Sequence, residues 1–453
     1  MNMKRYIFLW SVLLLGGLFS HFSFAQENEY YSVTELPNGV YYLPAPPDTS
    51  DMLIAADIYR WIWGKSLRPT PRGAQASEES LCNTQGMANV FSQAIGVTLS
   101  REGTPAIWKL MRCAARTGDN SVTSTKKYYM RVRPFARLNE HVASKYDNED
   151  GLRRNGSYPS GHTAIGWSTA LALAEMLPEL QDTILRRGFE FGESRVIVGA
   201  HWQSDVDAGR LASSVAYARM HRHPNYARDL AAARAEYLKL DPSITSTSAG
   251  YPDGSRILDK PVNLETFFLY GDMAAHWKAN AKRNTERGRQ AVRDADNSIE
   301  AMLIGLSKAA GKKMSVTSTP HTAALLAWAR NTLLSEAGRM KKTSFRERPY
   351  VRLNEPSLIP EEEAADAQTS SFPSAAATLG WGLSLVLTEI APDHSEEILK
   401  YGYEYGESRV IAGYQFTSDV QAGRILAACI FCRMHNDPAF RDLLDKAQKE
   451  WTK

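Results

Sequence analysis

Apolar residues recur at helical spacing along most of the chain, and the clearest examples lie between residues 164 and 238. Residues 164–177 (AIGWSTALALAEML) are rich in Ala and Leu and contain no Gly or Pro after Gly166, which favours a buried helix. Residues 183–198, 208–220 and 226–238 show the same pattern. Alternating apolar and polar runs bounded by turn residues, which would indicate strands, are scarce. The pattern therefore predicts an all-α protein.

The pattern of residues 72–221 occurs a second time, about 215 residues further along the chain. The matched blocks keep their order, and they are residues 72–76 with 287–291, 133–140 with 348–355, 192–197 with 406–411, and 219–221 with 433–435. A unit of this length is too long for a solenoid repeat, so we predict two tandem helical domains.

Composition divides the chain further. Residues 1–25 are typical of a cleaved secretory signal peptide, because Lys4 and Arg5 precede an apolar run and small residues follow it. The run is short for a membrane anchor, which needs about 20 residues. Residues 241–254, rich in Ser, Thr, Pro and Gly, are the expected linker between a first domain at 26–240 and a second at 255–453. Residues 26–48 hold four prolines and are expected to be extended. We expect a soluble periplasmic or secreted protein.

Charge and cysteine content exclude some classes of protein. The formal net charge is +3, and removing Lys4 and Arg5 with the signal peptide leaves about +1, which does not indicate a nucleic-acid partner. The cysteines are too few for a disulfide scaffold, and no second Cys pair or His pair stands at zinc-ligand spacing, so no metal site is expected. Cys429 and Cys432 are expected in the core, whereas a Cys82–Cys113 disulfide is left open.

Three short motifs in the first half bring together residue types suited to phosphate chemistry. One Arg side chain can bond two phosphate oxygens at once, and Lys supplies a compact positive charge. Ser160 directly before a helix is a good N-cap, and Gly161 lets backbone amides approach an anion closely. Singly, each motif has a simpler interpretation as a helix start or a solvated charge. In order, the motifs are Lys126 with Arg133-Pro134, then Pro159-Ser160-Gly161-His162, then Ser194-Arg195 with His201 and Asp205.

The spacing of the third motif predicts a nucleophile. His201 and Asp205 are four residues apart, so on a helix they would share a face. A carboxylate bonded to one ring nitrogen leaves the other free to attack a substrate. A capping or packing histidine is the alternative interpretation. Arg195 would point away from His201 on a continuous helix, so we expect a break at Gly199 that brings both to one pocket.

Together these motifs resemble the signature of the type 2 phosphatidic acid phosphatase superfamily. The first half is similar to the bacterial class A non-specific acid phosphatases, notably in YMRVRPFARLN, GSYPSGHTAIGW and GAHWQSDVDAGR. The resemblance implies the helical fold of the acid phosphatase/vanadium haloperoxidase type. It also implies hydrolysis of small phosphate monoesters at acidic pH through a phosphohistidine, without metal or cofactor, and with phosphotransfer as a side activity. The implied roles are nucleophile for His201, its orienting partner for Asp205, general acid and base for His162, and phosphate binding for Lys126, Arg133, Ser160, Gly161 and Arg195.

The second half departs from this signature. It keeps four polar members, Lys341, Arg348, Arg409 and Asp419. Ala376 stands at the general-acid position and Gln415 at the nucleophile position, so this half is predicted to be catalytically inactive. We expect it to pair with the first half inside the chain, and we prefer packing to phosphate binding as its role. Homo-oligomers are a further expectation from the family.

Three other functions compete with this interpretation. A vanadium-dependent haloperoxidase would use the same anion-binding residues to hold vanadate. The length of the unit and the match at GAHWQSDVDAGR favour the phosphatase. A lipid-phosphate phosphatase is opposed by the lack of spans after the leader, so no stable membrane insertion is expected. A non-enzymatic anion binder is opposed by the presence of His162, His201 and Asp205. The alcohol part of the substrate is not predicted, because the residues of the loop at 140–157, which is expected near the pocket, indicate no particular leaving group.

Overall fold

The computed structural model describes residues 28–244, 250–261 and 269–452, and every regular element in these ranges is a helix. The all-α prediction is therefore confirmed for the described residues. The predicted signal peptide lies outside them, as do residues 245–249 of the predicted linker. Among the described residues, no helix is both long enough and apolar enough to cross a membrane.

The first half contains α1 (Ile54–Leu67), α2 (Pro71–Glu78), α3 (Thr84–Ile95), α4 (Pro105–Tyr129), α5 (Pro134–Arg137), α6 (Glu149–Arg153), α7 (Gly161–Met176), α8 (Gln181–Ile197), α9 (Gln203–Met220) and α10 (Tyr226–Leu240). The second contains α11 (Gly254–Ile257), α12 (Leu269–Asn280), α13 (Glu286–Arg293), α14 (Ile299–Ala309), α15 (Pro320–Lys341), α16 (Pro349–Leu353), α17 (Pro360–Asp366), α18 (Ala375–Ile390), α19 (Ser395–Ile411), α20 (Thr417–Met434) and α21 (Pro438–Trp451). Short 3₁₀ helices lie at Val33–Glu35, Pro178–Leu180 and Pro392–His394.

Helix α7 is the centre of the first half. Every residue of it except Ile165 is buried, and it contacts α4, α8 and α9. A Cβ on Gly166 would collide with Phe191, so this glycine lets α8 lie close against α7. Helix α18 has the same place in the second half, where it contacts α15, α19 and α20. Each half is thus a bundle around one buried apolar helix, and the start of that helix faces the candidate site.

The two halves pack against each other inside the chain. Helix α9 contacts α18 and α20, α7 contacts α20, and α1 contacts α12. Most of the buried apolar side chains of both halves form one continuous cluster. Polar contacts cross the same boundary, since Asn436 Nδ2 donates to Glu175 O at 3.0 Å and Cys432 Sγ lies 3.2 Å from Leu171 O. The halves therefore share one hydrophobic core.

A pair of histidines lies at the centre of this interface. The rings of His221 and His435 stack with centroids 3.6 Å apart and planes 18° apart. His221 Nε2 lies 3.1 Å from Glu175 Oε2, and His435 Nε2 lies 2.8 Å from Glu389 Oε1. By distance His221, His435 and Glu389 could hold a metal ion. The in-plane lone pairs of two stacked rings do not converge on one ion, however, and each Nδ1 faces a backbone carbonyl. The arrangement fits two hydrogen-bonded pairs, His221 with Glu175 and His435 with Glu389, better than a metal site.

The cysteines and the opening stretch complete the comparison with the sequence. Cys82 and Cys113 are not bonded to each other. Cys429 and Cys432 are buried on α20, as predicted. The expectation of extended chain at 26–48 is only partly right, because a short 3₁₀ helix and buried side chains at Tyr30, Tyr42 and Leu43 anchor its described part to the core.

Candidate active site

The start of α7 forms one wall of the pocket. Ser160 is the N-cap, and its Oγ accepts a hydrogen bond from the backbone N–H of Thr163 at 3.2 Å. The amides of the first helical turn therefore point into the site with the positive end of the helix dipole. A Cβ on Gly161 would lie 2.9 Å from Asp119 Oδ1, so a side chain here would crowd the wall. These features make the start of α7 a suitable anion site.

His201 lies in the turn between α8 and α9 rather than on a helix. Helix α8 ends at Ile197, Gly199 has a φ of 80°, and α9 begins at Gln203. The expectation of a shared helix face is therefore wrong, whereas the expected break at Gly199 is present. The turn folds back so that the backbone N–H of His201 donates to Arg195 O at 3.2 Å. The break thus brings Arg195 and His201 to one place.

Asp205 orients His201 from the first turn of α9. Its Oδ2 lies 3.4 Å from His201 Nδ1 and accepts from the backbone N–H of Trp202 at 2.8 Å. Burial, reinforced by Arg133, holds the pKa of His201 well below its usual range. Arg131 holds the pKa of Asp205 low against the opposing effect of burial. A neutral ring beside a carboxylate keeps its proton on Nδ1, which leaves the lone pair on Nε2.

The Nε2 atom of His201 faces the cationic side of the pocket. Arg133 Nη1 lies 2.9 Å from it and also donates to Ala200 O at 3.0 Å. Lys126 Nζ donates to the carbonyls of Gly156 and Pro159 at 2.9 and 2.8 Å. Burial, then repulsion from Arg133, lowers the pKa of Lys126 to about 7. A bound anion would reverse this effect, because it would favour the charged form of the lysine.

Arg195 and His162 present unsatisfied atoms to the same pocket. Arg195 Nη2 donates to Asp147 Oδ1 at 2.9 Å, while its Nε and Nη1 are buried without a partner. His162 stacks on Phe191 with ring centroids 4.3 Å apart, and its Nε2 is also buried without a partner. Burial, then the charge of Arg195, lowers the pKa of His162 well below its usual range. Unsatisfied buried donors of this kind indicate a place for a ligand.

Some residues around the site were missed by the sequence analysis. Arg131 donates to Asp205 Oδ1 at 2.6 Å and to Asp57 Oδ2 at 2.8 Å, and Ser157 Oγ donates to Asp205 Oδ2. Asp147, from the loop expected near the pocket, binds Arg195. A signal for three of these was present in the repeat, because Asp57, Arg131 and Ser157 recur as Asp272, Arg346 and Ser371.

The second half repeats the ion pairs around the aspartate but has other residues at the positions of the two histidines. Arg346 bridges Asp419 at 2.6 Å and Asp272 at 2.7 Å. Gln415 occupies the position of His201, where its Oε1 accepts from Ser374 Oγ and its Nε2 donates to Ser371 O at 2.9 Å. Ala376, the second residue of α18, stands where His162 stands in the first half. This pocket therefore has no counterpart of His162 or His201.

Comparisons with known proteins agree with the duplicated architecture. A family model described as the PAP2 superfamily matches residues 109–229 and 320–442. A non-specific acid phosphatase of Providencia stuartii is 45% identical over 199 residues, which cover 44% of this chain and 80% of the relative. A non-specific acid phosphatase of Salmonella typhimurium is 42% identical over 208 residues, covering 46% and 83%. An acid phosphatase of Zymomonas mobilis is 36% identical over 212 residues, covering 47% and 78%.

Proposed function

The chain belongs to the PAP2 superfamily, and we propose that it is a metal-independent acid phosphatase that hydrolyses phosphate monoesters through a phosphohistidine at His201. The observation that carries the proposal is the orientation of His201, with Nδ1 on the buried carboxylate of Asp205 and Nε2 facing Arg133. The relatives named non-specific acid phosphatase support the class of substrate.

In the proposed first step, the phosphoryl oxygens bind Lys126, Arg133 and Arg195 and the amides at the start of α7. His201 Nε2 attacks phosphorus, and the bond from phosphorus to the alcohol oxygen breaks with its electron pair on oxygen. His162 donates a proton to that oxygen. The three cations stabilise charge on the phosphoryl group, which is the main catalytic requirement of this reaction.

In the second step, water attacks the phosphohistidine while His162 accepts its proton. The bond between phosphorus and Nε2 breaks, inorganic phosphate leaves, and neutral His201 is restored. An alcohol in place of water gives phosphotransfer. Since burial and the neighbouring charge of Arg195 disfavour the protonated form of His162 in the empty site, protonation improves with a bound anion and at acidic pH.

Rapid-quench labelling tests the mechanism. The wild-type protein is mixed briefly with a ³²P-labelled phosphate monoester, and the expected adduct is acid-labile, alkali-stable and absent in His201→Ala. His201→Ala should retain only background hydrolysis, while Gln415→Ala in the second half serves as the matched control with full labelling. Label recovered on serine or aspartate, or activity abolished by a chelator and restored by zinc or magnesium, would overturn the proposal.

Export is a separate proposal that rests on residues 1–25. Lys4, Arg5 and the apolar run after them support cleavage near Ala25. N-terminal sequencing of the mature protein from a periplasmic or culture fraction should begin near Gln26. A mature protein that keeps Lys4 and Arg5 in the cytoplasmic fraction would contradict it.

A further inference from the structure

The second half retains a set of buried cations that the reaction proposed above does not use. Arg348 and Arg409 are buried, at 4% and 7% exposure, and Lys341 Nζ donates to the carbonyls of Ser370 and Ser371 at 2.5 and 3.2 Å. These side chains repeat the arrangement of Lys126, Arg133 and Arg195. Since this pocket has no counterpart of His162 or His201, catalysis does not explain why they are charged.

Arg409 is the least satisfied of the three. Its Nη2 donates to Ala295 O at 3.2 Å, and its Nη1 is buried without a hydrogen-bond partner. No ion pair joins it to a carboxylate among the residues that the structure describes, whereas Arg195 in the first half pairs with Asp147 at 2.9 Å. A buried guanidinium without a counter-ion is costly, so an anion supplied from solution would stabilise it.

The acidic groups near the pocket are paired with other residues or partly exposed to solvent. Asp419 is paired with Arg346, which also binds Asp272. Asp366 is more than a third exposed, and its Oδ2 lies 3.6 Å from Arg348 Nη2. The pocket therefore keeps an excess of positive charge.

The start of α18 supplies neutral donors to the same place. Ser374 caps this helix of 16 residues, and its Oγ accepts from the backbone N–H of Ala377. Ala375 and Ala376 are the first helical residues, so their N–H groups have no carbonyl partner within the helix. In the first half the carboxylate of Asp119 crowds the corresponding wall, and Leu334 stands at that position in the second half. Loss of this carboxylate makes the wall more favourable to an anion.

Gln415 and Tyr414 form no hydrogen bond to the unsatisfied Nη1 of Arg409. Both ends of the Gln415 amide are bonded within the protein, to Ser374 and Ser371. The ring of Tyr414 lies against the guanidinium groups of Arg348 and Arg409, 4.7 and 5.4 Å from its centroid, while its hydroxyl donates to Asp366 at 2.7 Å. A ring in this position covers the faces of the guanidiniums and leaves their edges to form hydrogen bonds. Arg348 donates to Asp366 O, Tyr414 O and Thr369 Oγ1, so the N–H group left without a partner is Nη1 of Arg409.

We propose that the second half is a binding site for phosphate, either free or as the phosphoryl group of a monoester, and that it holds this group without hydrolysing it. Lys341, Arg348 and Arg409 and the amides of Ala375 and Ala376 are the ligands. Burial and the charge of Arg348 lower the pKa of Lys341 to about 7, so binding of a dianion takes up a proton near neutral pH. The proposal does not depend on the reaction of the first half.

Counting binding sites in the full-length chain tests this proposal. The His201→Ala protein is titrated with inorganic phosphate by calorimetry and equilibrium dialysis up to about 10 mM, a range that includes millimolar dissociation constants. Two sites are expected. Arg195→Gln added to His201→Ala should remove the first site and leave the second. Arg409→Gln added instead should weaken the second by about 10- to 100-fold, the effect of losing a charged hydrogen bond.

A further variant tests whether binding can be weakened without any change in the fold. Leu334→Asp returns a carboxylate to the wall without removing a cation, and it should weaken the second site while helicity and melting temperature stay close to those of the parent. A slowly hydrolysed monoester titrated in parallel shows whether the site accepts only free phosphate. A single site that disappears with Arg195→Gln, or a second site unaffected by both Arg409→Gln and Leu334→Asp, would overturn the proposal. Failure of the proposed catalysis would show separately, as unchanged turnover in His201→Ala.

Discussion

The duplication provides a matched pair of substitutions that separates the orientation of the proposed nucleophile, His201, from the stability of the fold. Asp205 and Asp419 occupy the same position in the two halves. Each accepts a hydrogen bond of 2.6 Å from a buried arginine, Arg131 or Arg346, and each also accepts from the N–H of its helix N-cap residue, at 2.8 and 2.9 Å. A serine hydroxyl, that of Ser157 or Ser371, is the third partner. The difference is the fourth partner, because only Asp205 has a histidine beside it. Asp205→Asn and Asp419→Asn therefore remove the same charge from nearly the same surroundings.

The two variants should lose similar stability. The amide keeps the shape of the carboxylate but removes one charge from a buried ion pair, while Arg131 and Arg346 each retain a second aspartate. Breaking a buried pair completely costs about 3–5 kcal/mol. With half of each pair remaining, we expect a loss of about 1.5–3 kcal/mol in the free energy of unfolding, the range for a hydrogen bond to a charged group.

Turnover should differ sharply between the same two variants. The Asp205 carboxylate stabilises the tautomer of His201 that carries its proton on Nδ1, and the amide can donate to Nδ1 instead, which moves the proton to Nε2 and blocks attack. Loss of the correct tautomer in a comparable catalytic arrangement lowers kcat by about 10⁴-fold. We therefore expect a drop of about 10³- to 10⁴-fold for Asp205→Asn and less than about twofold for Asp419→Asn.

Urea unfolding and steady-state hydrolysis of p-nitrophenyl phosphate measure the two effects on the same preparations. Labelling after rapid quench adds the phosphoenzyme level, which should fall in Asp205→Asn only. Equal turnover in the two variants at equal stability would refute the orienting role of Asp205. A much larger loss of stability in one variant would show that the two networks are not equivalent, and the comparison of turnover would then be made at temperatures where both are folded.

The remaining predictions concern the pocket wall and the interface. Gly161→Ala places a methyl group 2.9 Å from Asp119 Oδ1, so kcat/KM should fall by about 100-fold with little change in melting temperature; unchanged kcat/KM would contradict the close approach of substrate to this wall. At the interface, His221 has a raised pKa, so its contribution to stability is present below 6.5 and is lost as pH rises through its folded value. Glu175 has a pKa lowered to about 2, so its contribution is present above 4.5 and is lost as pH falls. The loss of unfolding free energy in Glu175→Gln should therefore be largest between pH 4.5 and 6.5, and a difference independent of pH would refute the pairing. The isolated segment 28–240 should dimerise or lose stability in sedimentation and melting experiments, because it exposes the apolar faces of α7 and α9; a stable, fully active monomer would contradict the shared core.

Local signals in the sequence were sufficient for helices α7 to α10 and for the three motifs whose residues meet in one pocket. Apolar residues at helical spacing predicted α7, α8, α9 and α10, although α9 begins at Gln203, five residues before the predicted start. That difference has a physical cause. Trp202 is the N-cap, and the Asp205 side chain binds its N–H, so capping extends the helix beyond its apolar stretch. The same cap explains why His201 lies in the preceding turn.

Contacts distant in the chain could not be derived from spacing. Arg131 and Asp57 are 74 residues apart and meet only because α1 packs beside α8 and α9. The open question of a Cys82–Cys113 bridge was of the same kind, since spacing alone does not give the distance between two loops or helices. Comparison of the two halves gives more information about distant contacts than the spacing within one motif does. A buried ion pair requires both partners, so polar residues that recur together in both halves are candidates for one network.

The structure suggests why the second half kept its charged network although both histidines were replaced. Removing Arg346, Asp272 or Asp419 would leave a buried charge uncompensated, which is strongly destabilising. The changes at the histidine positions avoid this cost. Ala376 removes a neutral side chain, and Gln415 replaces a ring with an amide whose two ends are bonded to Ser374 and Ser371. Glu389 and His435 are also kept, because the pair they form stacks against His221 in the shared core. The charged network and the interface maintain the fold of this half, so both histidines could be replaced without loss of structure.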